Sequence, residues 1–386
     1  MSTIDLPLSQ AFPGTPEDWT FARARQLEGT LTGDPMLGVW PITHQRLMRG
    51  WGCLAVANNT GKPIDWPPPD PSLADEAAKP HRRNLYYRVW TSLDAKKAFA
   101  RRHGVSASFR VTEKWRNPPE GKLDFDQTRD RVLGGHCMGI TPPLFMTPCP
   151  KDWLDDDFFV GRNSWGDEWG NRGFFAMRPH FFDHEVYEAW ATDESTEFPK
   201  LHGTGIQHVQ WRPGHDLDSW HLVYDIVDVD TDNRLAWAIV VLRRGEMHVD
   251  DFFVKPEARR RGYGTTMFRS FANESQRLRL PLRFWIPFAD VEHRESIERI
   301  RAFFSKQGLG FERSAFASAA FCAVANGAID IPEFELPPKA SFLFTSSNET
   351  KVDWQSIGKA FQVSDEFLEH TKSVFEQHGE TLRRLA

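Results

Sequence analysis

The chain contains no apolar run near the roughly 18 residues that a bilayer-crossing helix needs, which excludes a helical membrane protein. Cysteine is scarce: four in 386 residues, at positions 53, 137, 149 and 322. None forms a CxxC pair, so neither a disulfide scaffold nor a paired-cysteine zinc site is expected. No HExxH or comparable His–carboxylate pattern suggests a metal. Residues 1 to 10 lack a basic stretch leading into an apolar one, so no secretory leader is expected and the chain reads as cytoplasmic. Positive charge is not in excess either. Lys and Arg number 47 against 53 Asp and Glu, for a net charge of −6. That argues against a general nucleic-acid binder. No internal repeat is present.

Bulky apolar side chains, by contrast, are plentiful. There are 15 Trp and 30 Phe, enough for more than one packed core. At about 150 residues per domain, the length suggests two or three domains. Proline punctuates the chain at Trp66–Pro71, at Pro142-Pro143 and between Ile331 and Pro338, and each site reads as a connector.

The first 35 residues read as irregular and residues 85 to 102 as a helix. Val105–Val111 alternates as a strand does, and Phe158–Val160 and Gly173–Met177 read as short buried strands. The polar, glycine-containing stretch from Ser195 to Gly205 marks a domain boundary. Beyond it, His221–Val229 and Arg234–Leu242 form a hairpin around Asp230–Asn233. A strand over Met247–Val254, a helix over about 263–278, a strand over Leu282–Pro287 and an amphipathic helix over 293–307 follow. Residues 352 to 386 read as polar and helical.

The segment Asp250-Asp251-Phe252-Phe253-Val254-Lys255-Pro256-Glu257-Ala258-Arg259-Arg260-Arg261-Gly262-Tyr263-Gly264 runs from a strand through a turn into a helix. Free N–H groups and the dipole at a helix N-terminus attract anions, glycines let the backbone approach a pyrophosphate, and arginines add charge-assisted bonds. Over about residues 203 to 315 the chain resembles the GNAT family of acetyl-CoA-dependent N-acyltransferases. The resemblance implies acetyl-CoA, or another acyl-CoA, as cofactor. Phe253 and Val254 would lie along its pantetheine arm, with Arg259, Arg260, Arg261, Gly262, Tyr263, Gly264 and Thr265 at its phosphates. Asp250 or Asp251 would accept the amine proton, and strand alternation allows at most one of them to do so directly. The position matching the family's general-acid tyrosine is Phe304, so that role is unfilled or moved. Asp290, Glu292 and His293 stand where this fold receives its acceptor.

A second pattern joins Gly134-Gly135-His136-Cys137-Met138-Gly139 to Asn163-Ser164-Trp165-Gly166-Asp167-Glu168-Trp169-Gly170-Asn171-Arg172-Gly173. Over about residues 85 to 190 it resembles the second half of papain-family cysteine peptidases. The resemblance implies that His136 is the base, that Asn163 orients it and that Trp165 shields their bond. A thiolate nucleophile needs such a partner at neutral pH. The only early cysteine is Cys53, in Gly50-Trp51-Gly52-Cys53. The family's oxyanion glutamine, six residues upstream, falls on Leu47, and Gln45 stands eight upstream.

The expected fold class is an α+β papain-like domain over residues 1–195, then an α/β GNAT domain over 203–330, then a linker and helical tail over 331–386. The leading functional reading is acyl transfer to an amine of a peptide, protein or small molecule. Two alternatives stay open. In one, Cys53, His136 and Asn163 form a peptidase triad. In the other, the papain-like domain is an inactive peptide-binding module.

Overall fold

The computed structural model describes residues 16–33, 37–55, 66–125, 127, 130–143, 150–154, 158–193, 203–211, 220–243, 245–313 and 319–325. The expected tail helix over 352–386 lies outside them, as does Cys149. Two compact units emerge. Unit 1 joins the chain through Tyr87 to Asp193–Glu312 and Cys322–Asp330, and unit 2 holds Arg88–Thr192 with Arg313–Phe321. This division groups residues before 88 with the later half of the chain, whereas the sequence reading runs one domain over 1–195 and a second over 203–330.

In chain order the elements are α1 (Pro16–Leu27), α2 (Pro41–Gly50), α3 (Asp75–Ala78), β1 (Leu85–Arg88), α4 (Ser92–Ala100), β2 (Val105–Thr112) and β3 (Val132–Thr141). Then come α5 (Lys151–Leu154), β4 (Phe159–Arg162), β5 (Phe174–Met177), α6 (Pro179–Glu185), β6 (Val186–Asp193), β7 (Ile206–Trp211) and β8 (Trp220–Asp228). The last are β9 (Asn233–Arg243), β10 (Glu246–Val254), α7 (Tyr263–Leu278), β11 (Leu282–Ile286), α8 (Arg294–Lys306), β12 (Leu309–Arg313) and β13 (Phe321–Ala325). The described fold is mixed α/β, with two sheets ordered β1-β6-β2-β3-β4-β5 and β12-β13-β11-β10-β9-β8-β7.

Two elements differ from the sequence reading. α1 occupies part of the stretch expected to be irregular. Pro16 opens it, Glu17 and Asp18 sit in its first turn and Arg25 in its last, a charge order that suits the helix dipole. Leu85–Arg88 is a strand, with all four residues buried, where a helix was expected. The helix starts later because Thr91 and Asp94 form a capping box, which satisfies two otherwise orphaned N–H groups.

In unit 1, β7 to β10 form an antiparallel meander and β10 pairs with β11 in parallel, with α7 as the crossover. The β8–β9 turn is held by Asp228, whose Oδ1 accepts the N–H of Asp230 at 3.1 Å, an Asx turn. Ala236 to Val241 of β9 are all fully buried, the continuous apolar run expected of a strand covered on both faces. α7 lays Phe271 against Phe284 (5.4 Å) and Tyr224 (5.5 Å). The α2 segment brings Trp51 against Trp237 at 6.4 Å.

That segment also buries two arginines one helical turn apart, so both face the sheet. Arg46 pairs with Asp251 and Asp290. Arg49 Nη2 donates to Asp225 at 2.8 Å. In unit 2, Trp153, Phe158, Val160 and Ala176 make a core cluster capped by Phe174, and Phe109 packs on Trp115 at 5.6 Å.

Candidate active sites

β10 and β11 pair only at Met247↔Leu282, His248↔Arg283 and Val249↔Phe284. The register of β10 against β9 then slips between Val249 and Asp251. A bulged residue bends its strand, and here β10 parts from β11. The gap is a cleft of about 610 Å³ walled by Phe252, Val254, Trp285, Phe303 and Phe304 among others.

α7 starts at this cleft. Gly262 caps it at φ 85°, and Arg260 stands at φ 64°. A glycine takes the left-handed conformation without steric cost, whereas an arginine spends roughly 1–2 kcal/mol on it. Successive amides in such a turn make a concave anion site. Arg259, Arg260, Gly262, Tyr263, Gly264 and Thr265 all border the cleft. Phe253 and Val254 do too, whereas Arg261 is exposed and is not among the bordering residues. Arg299 of α8 adds a guanidinium that the sequence reading did not assign. Burial, and after it the nearby Arg299, push the Arg259 guanidinium below its ordinary value. Gathered cations of this kind favour an anionic ligand.

The two carboxylates expected to serve as base do not border the cleft. Asp250 is fully buried and pairs with Arg243 at 3.3 Å. Asp251 is also fully buried. Its Oδ1 accepts from Arg46 Nη2 at 2.6 Å and Nε at 3.1 Å, and its Oδ2 accepts from the Tyr86 hydroxyl. A carboxylate so engaged is committed to holding α2 and β1 residues in unit 1. The carboxylate that does border the cleft is Asp290. Phe304 is buried and packs on Phe284 at 4.9 Å, so no hydroxyl stands at that position. Glu292 accepts from Trp40 Nε1 at 2.9 Å.

In unit 2, β3 and the Asn163–Gly173 loop place the second set of residues. His136 pairs with Phe109 of β2 in register. The loop folds back on itself: Asn163 N–H donates to Gly173 O at 2.8 Å and Gly173 N–H to Trp169 O at 2.7 Å. Gly170, at φ 61°, allows no side chain, since a Cβ there would lie 2.6 Å from Phe174 O.

The loop delivers Asn163 Oδ1 to within 2.8 Å of His136 Nε2. The backbone N–H of Ser164 donates to the same oxygen at 2.7 Å. A backbone amide can only donate, so this second bond fixes which amide atom is the oxygen. Nε2 must then carry the ring proton when His136 is neutral, which leaves Nδ1 as the basic nitrogen. Trp165 stacks on the imidazole at 5.1 Å, and Trp169 meets Trp165 edge-on at 5.5 Å. Burial lowers the His136 pKa, and the Asn163 bond works against that.

Cys53 belongs to unit 1. It follows the C-terminal end of α2, after Trp51 and Gly52, and residues 52–55 are not helical. A helix C-terminus carries negative dipole charge, which disfavours a thiolate, whereas the papain pattern calls for a helix N-terminus. Burial pushes the Cys53 thiol up, Arg83 lowers it and Glu17 raises it. Its Sγ lies 4.0 Å from His81 O. Cys137 adjoins His136 on β3, where neighbouring side chains point to opposite faces.

No protein-family model and no curated protein matches the chain. Some solved structures are similar to parts of it. Xylellain, a cysteine protease from Xylella fastidiosa, is 18% identical over 46% of this chain and 69% of its own, with a TM-score of 0.37. The bromelain protease from Ananas comosus, solved with the E64 inhibitor, is 12% identical over 48% of this chain and 94% of its own, at 0.31. PaiA N-acetyltransferase from Thermoplasma acidophilum, solved with coenzyme A, is 14% identical over 28% of this chain, at 0.23. The chain spans 61% of that acetyltransferase's length. Structures similar to parts of this chain thus include both cysteine proteases and acetyltransferases.

Proposed function

We propose that unit 1 is an N-acyltransferase that binds an acyl-CoA in the cleft between β10 and β11 and passes the acyl group, acetyl by expectation, to an amine. The observation that carries this reading is the parting of the two strands after Val249↔Phe284, beside a helix N-terminus flanked by Arg259 and Arg260. The residues present fit the cofactor. The α7 amides with Arg259 and Arg260 would hold its pyrophosphate, and the opened edge of β10 at Phe253 and Val254 would meet its amide-bearing arm. When bound, an acyl-CoA supplies an acyl group already activated as a thioester. The protein's part is to hold and orient it, to exclude water with Phe252, Phe303 and Phe304, and to polarise the carbonyl with backbone N–H groups. Phe304 contributes no proton. Calorimetric titration of the full chain with acetyl-CoA tests the reading. Binding by the wild type and its loss in Gly262→Glu are expected, and no binding by the wild type would remove the proposal.

The His136–Asn163 bond supports a second reading, in which unit 2 retains the base and orienting amide of a papain-like hydrolase. The placement of Cys53 after a helix favours a peptide-binding role for unit 2 over hydrolysis. A fluorogenic peptide panel separates the two, because hydrolysis abolished by both His136→Ala and Cys53→Ala would restore the peptidase.

A further inference from the structure

The open edge of β10 already carries an occupant. β10 lies between β9 and β11 in the sheet. The Lys255 N–H donates to Leu235 O at 2.9 Å, on the β9 side. The N–H and C=O groups of successive strand residues point to alternate sides. Those of Val254, in register with Ala236, therefore face the other way, where β11 has parted from β10 after Val249↔Phe284. Val254 O is thus an acceptor that a chain added along this edge would use.

Arg259 takes it. Its Nε donates to Val254 O at 3.3 Å. The reach is short because Pro256–Ala258 is a single tight turn, closed by Ala258 N–H to Lys255 O at 2.9 Å. Both Val254 and Arg259 border the cleft, so the guanidinium sits in the lane that an added chain would follow. A neutral carbonyl is a weak partner for it. Anions hold a guanidinium through charge-assisted bonds roughly twice as strong. Asp290, the carboxylate of the cleft, is engaged by Arg46 at both oxygens and acts on Arg259 at longer range. A pyrophosphate at the α7 N-terminus would draw Arg259 off Val254 O and free that oxygen for the arm. A thioester without phosphate would leave Arg259 in place.

We propose that Arg259 is a specificity-determining residue for the acyl donor: it covers Val254 O until a pyrophosphate claims it, so the cleft admits acyl-CoA thioesters and refuses pantetheine thioesters that end in a hydroxyl. The proposal rests on the acyl-CoA reading and deepens it. One arginine has two opposed effects, competition with the arm and attraction of the phosphates, and only a donor that carries both parts turns the first into the second.

The experiment uses the full chain and two probes, acetyl-CoA and S-acetylpantetheine, with binding read by ligand-observed NMR titration. Arg259→Ala replaces an exposed side chain and should fold. It is expected to weaken acetyl-CoA by about tenfold, the loss of one charge-assisted contact. It is expected to tighten S-acetylpantetheine by about fivefold, because Val254 O is released. Arg260→Asn is the control. Asn tolerates the left-handed conformation of this position, and the change removes a cation of the cradle while Arg259 stays on Val254 O. It should weaken acetyl-CoA and leave S-acetylpantetheine unchanged. S-acetylpantetheine bound no more tightly by Arg259→Ala than by the wild type, binding by neither included, would overturn this proposal alone. So would an equal gain in Arg260→Asn, which would trace the effect to lost charge rather than to the covered oxygen. A wild type that binds no acetyl-CoA overturns the acyl-CoA reading and this proposal with it.

Discussion

Arg46 and Asp251, 205 residues apart in the chain, form a buried ion pair in unit 1, with Nη2 and Oδ1 separated by 2.6 Å and side-chain exposures of 4% and 0%. Removing Asp251 leaves Arg46 paired with Asp290 alone and takes the acceptor from the buried Tyr86 hydroxyl, at a cost of about 1–3 kcal/mol. Asp251→Ala is therefore expected to destabilise unit 1 by that order, read as a lower urea midpoint at unchanged slope. A loss of activity with no change in stability would instead make Asp251 a chemical group.

Gly264 allows a graded test of the proposed cofactor cleft. A Cβ there would touch Phe252, Phe303 and Val254 at 3.5–3.6 Å, which is ordinary contact. Gly264→Ala should fold and keep acetyl-CoA binding. Gly264→Glu, which brings bulk and a negative charge to the anion site, should abolish it while leaving the melting temperature within a few degrees. Equal calorimetric affinity in the two variants would place the cofactor elsewhere.

The Asn163–His136 bond favours the protonated imidazole, because Oδ1 accepts from Nε2 in either charge state and more strongly from the cation. Asn163→Ala is expected to lower the His136 pKa further than burial already has. Titration of the ring by NMR checks this. A rise in pKa would mean that the loop had opened and water had entered.

His44 on α2 gives unit 1 an acid limb. Burial first and Arg83 second lower its pKa from 6.5 to about 4. The folded value lies below the unfolded one, so between about pH 4 and 6.5 the unfolded chain binds more protons and stability rises with pH. The contribution is complete above about pH 6.5 and is lost as pH falls toward about 4. His44→Gln should flatten that limb in urea midpoints measured across the window. An unchanged slope would assign the acid sensitivity to other groups.

Cys53 should behave as an ordinary or sluggish thiol. Burial raises its pKa, so alkylation by iodoacetamide at neutral pH should be slower than that of free cysteine, followed by mass spectrometry on the peptide that carries it. Fast alkylation that persists well below neutral pH would reveal an activated nucleophile and revive the triad.

What could be read from the sequence was local. Gly262, Gly264 and the arginines beside them sit next to one another in the chain, as do Asn163, Trp165 and the loop glycines, and short-range sterics dictate their patterns. α7 matched its expected range because its N-terminal glycine and its amphipathic spacing agree. Arg46 was invisible by the same logic. An arginine in a short helix reads as solvated, and only folding shows that its partners lie at Asp251 and Asp290. Asp251 was misread for the same reason: its place on the strand was legible, but Arg46 and Tyr86, which engage it, lie far away in sequence. Leu85–Arg88 reads as helix in the sequence because the first turn of α4 follows so closely, and pairing in the sheet overrides local preference.

Unit 1 is interrupted in sequence, since the chain leaves it after Tyr87 and returns at Asp193. This sets an order of events on the ribosome. Arg46 and Arg49 emerge long before Asp225, Asp251 and Asp290 exist, and at about 5–20 residues per second the roughly 200 residues from Arg88 to Asp290 take on the order of ten to forty seconds. Throughout that interval α1 and α2 have no sheet to dock on and their arginines remain hydrated. The stretch Arg88–Thr192, whose sheet partners are nearly all contiguous in sequence, can close first. The nascent chain therefore completes its middle before its beginning, and α1 and α2 dock only when β8, β9 and β10 have been made.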